Sequence, residues 1–409
     1  MAKQVLIAGG GIGGMAAALA CGRAGWNVKL FERASAFSEV GAGVQLGANV
    51  TRLLHEWGMG DALARVAAFP PMLQVCDANT GRELGALRLG QHALDRYGAP
   101  YATIHRADLH ALLHHAVAQE DRVSMQLGQT LGDFAQTPQE VTARSSAQPW
   151  NPRARSPEIP GDVLIGADGL WSPVRQWLLG DGLPRVSGHL AYRALVPQAS
   201  LPERLRSQQI TVWLGPRLHV VQYPVRGGES LNVVAIAQAR LPGPVRNLTP
   251  DRLDHWDHSG NGAELHALLA GTCPALQNVV KAIESWRLWV LCDRKPMRGP
   301  HQQALGRVAL LGDAAHPMRP YLAQGAGMAI EDAAALGQAL RQVQATAEVP
   351  AALQRYAGQR WQRNARVQAR AERNGRIFHA TGPLRWARDA AMRALGERLL
   401  DLPWLYGAR

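Results

Sequence analysis

The stretch QVLIAGGGIGGMAAALACGRAGWNVKLFER, residues 4 to 33, decides the fold. Val5 to Ala8 is a short apolar run of the kind that forms a buried parallel strand. Gly9, Gly11 and Gly14 follow at G-x-G-x-x-G spacing, and a helix of small residues runs from Met15 to Arg23. Gly25 ends that helix, and Val28 to Phe31 reads as a second strand closed by Glu32. Gly9 permits a tight turn, Gly11 lets the backbone approach a pyrophosphate, and Gly14 lets helix and strand pack closely. The helix N-terminus offers N–H groups and a positive dipole end to phosphate. Glu32, eighteen residues after Gly14, is placed to accept hydrogen bonds from a ribose. The unit is that of a dinucleotide site, for NAD or FAD, and does not by itself decide between them.

Around this unit stands a chain of 409 residues, long enough for two or three domains, with 47% hydrophobic residues to build their cores. No apolar run has the length of a bilayer span, and no signal-peptide pattern precedes "KQVLIAGG". A soluble, cytoplasmic protein is expected, not an integral membrane one. Cys21, Cys76, Cys273 and Cys292 lack C-x-x-C spacing, so neither a metal site nor a disulfide framework is expected. The formal net charge of +12 comes without a helix-turn-helix, zinc-finger or RNP pattern, so no nucleic-acid partner is expected. An anionic cofactor and substrate are the modest reading of that charge.

Further along, "SEVGAGVQLGANVTRLLHEWGM" (38–59) is a glycine-rich loop entering a helix, with Gly41 and Gly43 suited to close approach of a flat ligand. Residues 70–100 read as a hairpin, and 101–119 as a strand followed by a helix that begins at Arg106. Residues 136–162 hold five prolines and read as an irregular excursion. "DVLIGADGLWSPVR" (162–175) is a buried strand, a turn and a helix start at Ser172-Pro173. Alternating runs between Gly188 and Ala237 read as an antiparallel sheet. Val308 to Leu311 returns to a buried strand, Gly312-Asp313 follows, and a helix begins near Gly327, with Glu331 and Asp332 in its first turn facing the dipole. The class is α/β: a Rossmann-like nucleotide-binding domain (1–70, 101–182, 291–348), an inserted mostly antiparallel sheet domain (71–100, 183–290) and a C-terminal helical region (349–409).

The three segments Gly9 to Glu32, "DVLIGADGLWSPVR" and the Gly312-Asp313 stretch occur in an order that resembles the single-component FAD-dependent aromatic hydroxylases. "GAGVQLGANV", "YATIHRADLHALL", "VWLGP", "HVVQYPVRGGE", "PYLAQGAGMAIEDA" and the terminal "WLYG" are similar to the branch of salicylate 1-hydroxylase, 3-hydroxybenzoate 6-hydroxylase and 6-hydroxynicotinate 3-monooxygenase. The resemblance implies FAD as cofactor and NADH (or NADPH) as a transient co-substrate. It implies O2 added to the flavin as a C4a-hydroperoxide and a small aromatic acid as the ring attacked. It places Gly9, Gly11, Gly14, Glu32, Arg33, Gln45, Arg106, Asp168, Asp313, Gly325, Ala326 and Gly327 at the cofactor, and a homodimer is among the expected assemblies. A related enzyme acting on a larger apolar substrate is the alternative.

On the strand "RLHVVQYPV", His219, Val221 and Tyr223 share one side, with about 13 Å between the Cα atoms of His219 and Tyr223. His219 is expected as base or relay and Tyr223 as a substrate contact. By the resemblance, His316 and Pro320 pass in front of the flavin. Arg193 and Arg319 are both candidates for a substrate carboxylate. Arg363, Arg366, Arg370 and Arg373 recur at helical spacing and read as a solvated face.

Overall fold

The computed structural model describes residues 3–37, 42–146, 157–238, 258–260 and 262–407. Two compact units emerge: 1–39, 109–185 and 293–371 form the first, and 40–108, 186–292 and 372–409 the second. These bounds differ from the expected ones. Residues 40–70 and 101–108 fall with the sheet unit. Residues 349–409 are shared between the two units rather than standing alone.

The first unit is built on a sheet whose centre is β1 (Gln4–Ala8). On one side β1 runs parallel to β2 (Asn27–Glu32), which pairs in parallel with β7 (Val123–Leu127). On the other side stand β11 (Val163–Gly166) and β19 (Val308–Leu310), both parallel, with β18 (Ala304–Leu305) as an antiparallel edge. Val5, Leu6, Ile7, Val163, Ile165 and Val308 are fully enclosed, as strands covered on both faces must be. The helix Ile12–Arg23 packs on the helix Gly325–Arg341 so tightly that a Cβ on Gly337 would stand 2.9 Å from the Ala20 carbonyl oxygen. Trp26 donates its indole N–H to the Leu340 carbonyl at 3.1 Å.

A second, three-stranded sheet belongs to this unit: β8 (Thr130–Gln136), β9 (Val141–Ser146) and β10 (Glu158–Gly161), all antiparallel. The segment expected to be an irregular excursion therefore holds two strands at its ends. Val141 and Ala143 alternate inward on β9 and join the core of Leu6, Leu131 and Leu164. Residues 147–156 lie outside the described residues.

The second unit centres on eight strands in the order β16–β17–β12–β15–β14–β13–β4–β5. They are β4 (Met72–Asp77), β5 (Glu83–Arg88), β12 (Arg185–Pro197), β13 (Ile210–Gly215), β14 (Leu218–Val225), β15 (Ser230–Gln238), β16 (His258–Gly260) and β17 (Trp286–Asp293). The stated pairings are antiparallel except β13 with β4. A short ribbon of β3 (Gly43–Leu46) and β6 (Ala102–His105) accompanies the sheet. Strand alternation gives the large sheet two unlike faces. Tyr192, Ala194, Val220, Leu231, Val233 and Ala235 share one face and pack with Leu265, Leu276, Val279 and Val280 of the helices Gly262–Leu268 and Pro274–Lys281. The other face carries Arg193, His219, Tyr223 and Asn232. The C-terminal residues are tied to this unit by charge: Arg385 to Asp77 at 2.6 Å, and Arg88 to Glu397 at 3.1 Å.

None of the four cysteines forms a disulfide; three are buried and Cys292 is half-buried. Among the described residues no helix is long and apolar enough to cross a membrane, and no group of three or more His, Cys, Asp or Glu could hold a metal.

Candidate functional site

Gly9 and Gly14 in the first turn leave no room for side chains. Gly9 has φ +97°, and a Cβ there would stand 2.5 Å from the Ala167 carbonyl oxygen. A Cβ on Gly14 would come 1.8 Å from the Gly9 carbonyl oxygen, whereas one on Gly11 would face open space. Helix Ile12–Arg23 starts at Gly11 without a side-chain cap, so its first N–H groups are donors for an anion. Glu32 lies at the end of β2, where its carboxylate accepts from Gly10 N–H at 2.7 Å and Ala34 N–H at 2.9 Å. His110 holds the Gly10 carbonyl at 2.7 Å, and Phe37 stacks at a tilt on His110, with ring centroids 4.7 Å apart. Neither His110 nor Phe37 announces itself in the sequence, because their pairing joins stretches separated by three helices. Arg33, next to Glu32, is exposed.

Asp168 sits in the turn after β11. It accepts from Ser172 Oγ at 2.5 Å and Val174 N–H at 3.1 Å, while Ser172 caps the helix Pro173–Leu179 by accepting from Arg175 N–H. Burial raises its carboxyl to about 6, against the opposing pull of these two donors.

After β19 the chain turns at Gly312 (φ +59°) and presents Asp313 at the surface. Asp313 Oδ1 lies 4.0 Å from where a Gly325 Cβ would stand, at the start of helix Gly325–Arg341. That helix, opening with Gly325, Ala326 and Gly327, has no side-chain cap either. It begins two residues earlier than expected, so Glu331 and Asp332 are not in its first turn. They are spent on arginines instead. Asp332 accepts from Arg360 Nε at 2.7 Å, Asn364 at 3.0 Å and Gly312 N–H at 3.2 Å. Glu331 meets Arg360 at 2.8 Å and Arg363 at 2.6 Å, so Arg363 is not on a solvated stripe. His316, 1% exposed, pairs through Nε2 with Asp332 at 2.5 Å and braces this turn from within. Burial works against the Asp332 carboxylate, but His316 and Arg360 outweigh it and hold the group well below the usual range. Pro320 and Arg319 are half-buried, and Arg319 is paired with Asp293 at 2.7 Å.

In the second unit, the face opposite the helices holds the remaining candidates. Cross-strand partners align His219 with Ile236, Val221 with Val234, and Tyr223 with Asn232, while Val234 faces Arg193. His219 is 1% exposed and shares a hydrogen bond between its Nδ1 and His379 Nε2 at 2.8 Å, with the His189 ring beyond His379 at 5.0 Å. Burial lowers the His219 pKa well below its ordinary value, and the neighbouring His379 and His189 add to the effect. His219 is therefore a neutral imidazole at pH 7.

At the other end of β14, Tyr223 donates to the Gly43 carbonyl at 2.6 Å, and Asn232 accepts from Gly43 N–H at 2.7 Å. A Cβ on Gly43 would stand 2.5 Å from the Tyr223 ring, which is why glycine is required there; Gly41 lies outside the described residues. Gln45 accepts from the Tyr101 hydroxyl at 2.7 Å. Arg106 opens its helix with its N–H on the Ala42 carbonyl and an exposed side chain. Arg193 lays its guanidinium over Trp289, 4.2 Å from the ring centroid. His379, Asn232 and Trp289 are the participants that sequence reasoning missed.

A side-chain-free cradle at Gly9 to Gly14, an acid beside it and a second uncapped helix with Asp313 at its mouth fit an FAD. The comparisons agree. Residues 2–215 and 285–371 match a family model described as an FAD binding domain. The chain is 37% identical over 406 residues to a 3-hydroxybenzoate 6-hydroxylase of Polaromonas naphthalenivorans (strain CJ2), covering 98% of this chain and 95% of the relative. It is 34% identical over 367 residues to a 6-hydroxynicotinate 3-monooxygenase of Bordetella bronchiseptica (strain ATCC BAA-588 / NCTC 13252 / RB50), covering 89% of each. A solved salicylate hydroxylase substrate complex superposes with a TM-score of 0.81 at 27% identity, covering 100% of this chain and 96% of that one.

Proposed function

Because the chain belongs to the FAD binding domain family of aromatic-ring monooxygenases, we propose that it hydroxylates a small hydroxylated aromatic carboxylate of the salicylate or 3-hydroxybenzoate kind, using a reduced nicotinamide and O2. The observation that carries the substrate class is the polar face of the large sheet. It sets a neutral histidine at one end of β14 and a tyrosine at the other, over a floor of Val221, Val234 and Ile236.

Gly9, Gly11, Gly14, Glu32, Asp313 and the Gly325–Gly327 helix start would hold an FAD, which when bound would supply electron transfer from the nicotinamide and oxygen-atom transfer to the ring. The protein's own residues do the rest. A phenol attacks as its phenolate, so a group must take the hydroxyl proton. His219 is uncharged and shares a hydrogen bond through Nδ1 with His379, and a neutral imidazole can take that proton. The shared Nδ1–Nε2 bond gives the proton an onward step to His379. Tyr223, fixed by Gly43, offers a rigid edge for the ring. The apolar floor excludes water, which strengthens each polar contact made above it.

The test is NADH oxidation by the FAD-loaded protein with salicylate, 3-hydroxybenzoate, 4-hydroxybenzoate and 6-hydroxynicotinate, with catalase added to reveal peroxide. One acid is expected to accelerate NADH oxidation without releasing peroxide. If none does, the reading fails. The substitution His219→Ala is expected to lower hydroxylation about 100-fold with FAD content unchanged. An unaltered rate would remove His219 from its role.

A further inference from the structure

We propose that Arg193 receives the carboxylate of the aromatic substrate, an assignment that rests on the hydroxylase reading above. Enclosed arginines elsewhere have acids or carbonyls as partners: Arg319 has Asp293, Arg360 has Asp332, Arg385 has Asp77, and Arg307 has the carbonyls of Pro138, Asp162 and Thr346. Arg193 has none among the described residues. Its Nε is buried with no hydrogen-bond partner there, and its close companion is the face of Trp289. An aromatic face offsets only part of the cost of enclosing a cation. Burial lowers the guanidinium to about 10, yet it stays fully charged at neutral pH.

Two further facts point this charge toward a ligand rather than toward packing. Arg193 stands in one cross-strand row with Val234 and Val221, on the face that also bears His219 and Tyr223. Arg193 and the Tyr223 hydroxyl are close enough to shift one another's ionisation. A planar anion suits the planar fork of a guanidinium, and a carboxylate is engaged through two parallel N–H donors. Arg319, the other cation that sequence reasoning held open for this role, is already neutralised by Asp293.

The experiment compares 3-hydroxybenzoate with its methyl ester on the FAD-loaded enzyme, for the wild type, Arg193→Gln and Arg193→Lys. KM comes from coupled NADH oxidation, and equilibrium binding from the change in flavin fluorescence. The wild type is expected to prefer the acid. Arg193→Gln should raise KM and Kd for the acid by about 30-fold or more and leave the ester within about threefold, as loss of a charge-assisted bond predicts. Arg193→Lys should restore part of the loss. Unchanged acid binding in a folded, flavin-replete Arg193→Gln overturns the assignment. If that variant does not fold, the wild type alone decides, and equal affinity for acid and ester overturns it. Wild-type enzyme that oxidises NADH with none of the aromatic acids instead sinks the hydroxylase reading, and the assignment with it.

Discussion

Gly14 shows how much a single missing atom can dictate. A Cβ there would sit 1.8 Å from the Gly9 carbonyl oxygen, so backbone must move before any other residue fits. Gly14→Ala is expected to cost about 3 kcal/mol or more and to yield protein lacking flavin, read from melting temperature and from the ratio of flavin to protein absorbance. Asp168 makes a prediction with a sign. Its carboxyl titrates near 6 in the folded protein and near 3.8 in the unfolded chain. The folded state therefore binds the extra proton between those values, and stability falls as pH rises through that window. The loss is about 3 kcal/mol, and Asp168→Asn should abolish it in pH-dependent denaturation of the FAD-free protein. Glycines and terminal acids were legible because their roles are local. The partner of His219 was not, since His379 lies 160 residues away and no spacing rule connects them.

Elements were read well where the apolar pattern was continuous and poorly where neighbours supplied the reason. β1, β11 and β19 are buried runs and are visible as such in the sequence. β9 and β10 were hidden by the proline-rich chain between them. The start of helix Gly325–Arg341 is hard to read because glycine is a poor helix former, and its uncapped entry gives no side-chain signal. The earlier start moves Glu331 and Asp332 out of the first turn, and they hold the helix Val349–Phe378 through Arg360 and Arg363. Asp332→Asn leaves Arg360 enclosed with one acid fewer, and a loss of about 3–5 kcal/mol in unfolding free energy is expected. The carboxyl of Asp332 is held low, so its contribution is complete above the unfolded value of 3.8 and is lost progressively as pH falls from there through the much lower folded value. The stability gap between wild type and Asp332→Asn should therefore narrow from pH 7 to pH 3 without closing, seen by denaturant titration at the two pH values.

At the scale of the whole molecule, the order of strand, turn and helix signals indicates the α/β class, and the resemblance to the FAD-dependent aromatic hydroxylases supplies the FAD and the monooxygenase activity. The expected domain limits and the two compact units differ because β3, β6 and the last helices join the sheet unit through hydrogen bonds and ion pairs far apart in the chain. The net charge of +12 also acts at this scale. Long-range attraction of an anionic acid is screened by salt, so raising NaCl from about 0.05 to 0.5 M should lower kcat/KM several-fold and leave kcat nearly constant. A kcat that falls in parallel would point to a salt effect on the chemistry instead.

The thiols of this protein have a practical side. Cys21, Cys76 and Cys273 are sealed in, while Cys292 is the accessible member of the set and follows Trp289 by three residues on β17. A maleimide dye there would stand about 10 Å along the strand from the Trp289 ring but on the opposite face of the sheet, because three residues turn a strand side chain over. Its emission would therefore follow the packing of the helix-covered face rather than the surroundings of Arg193.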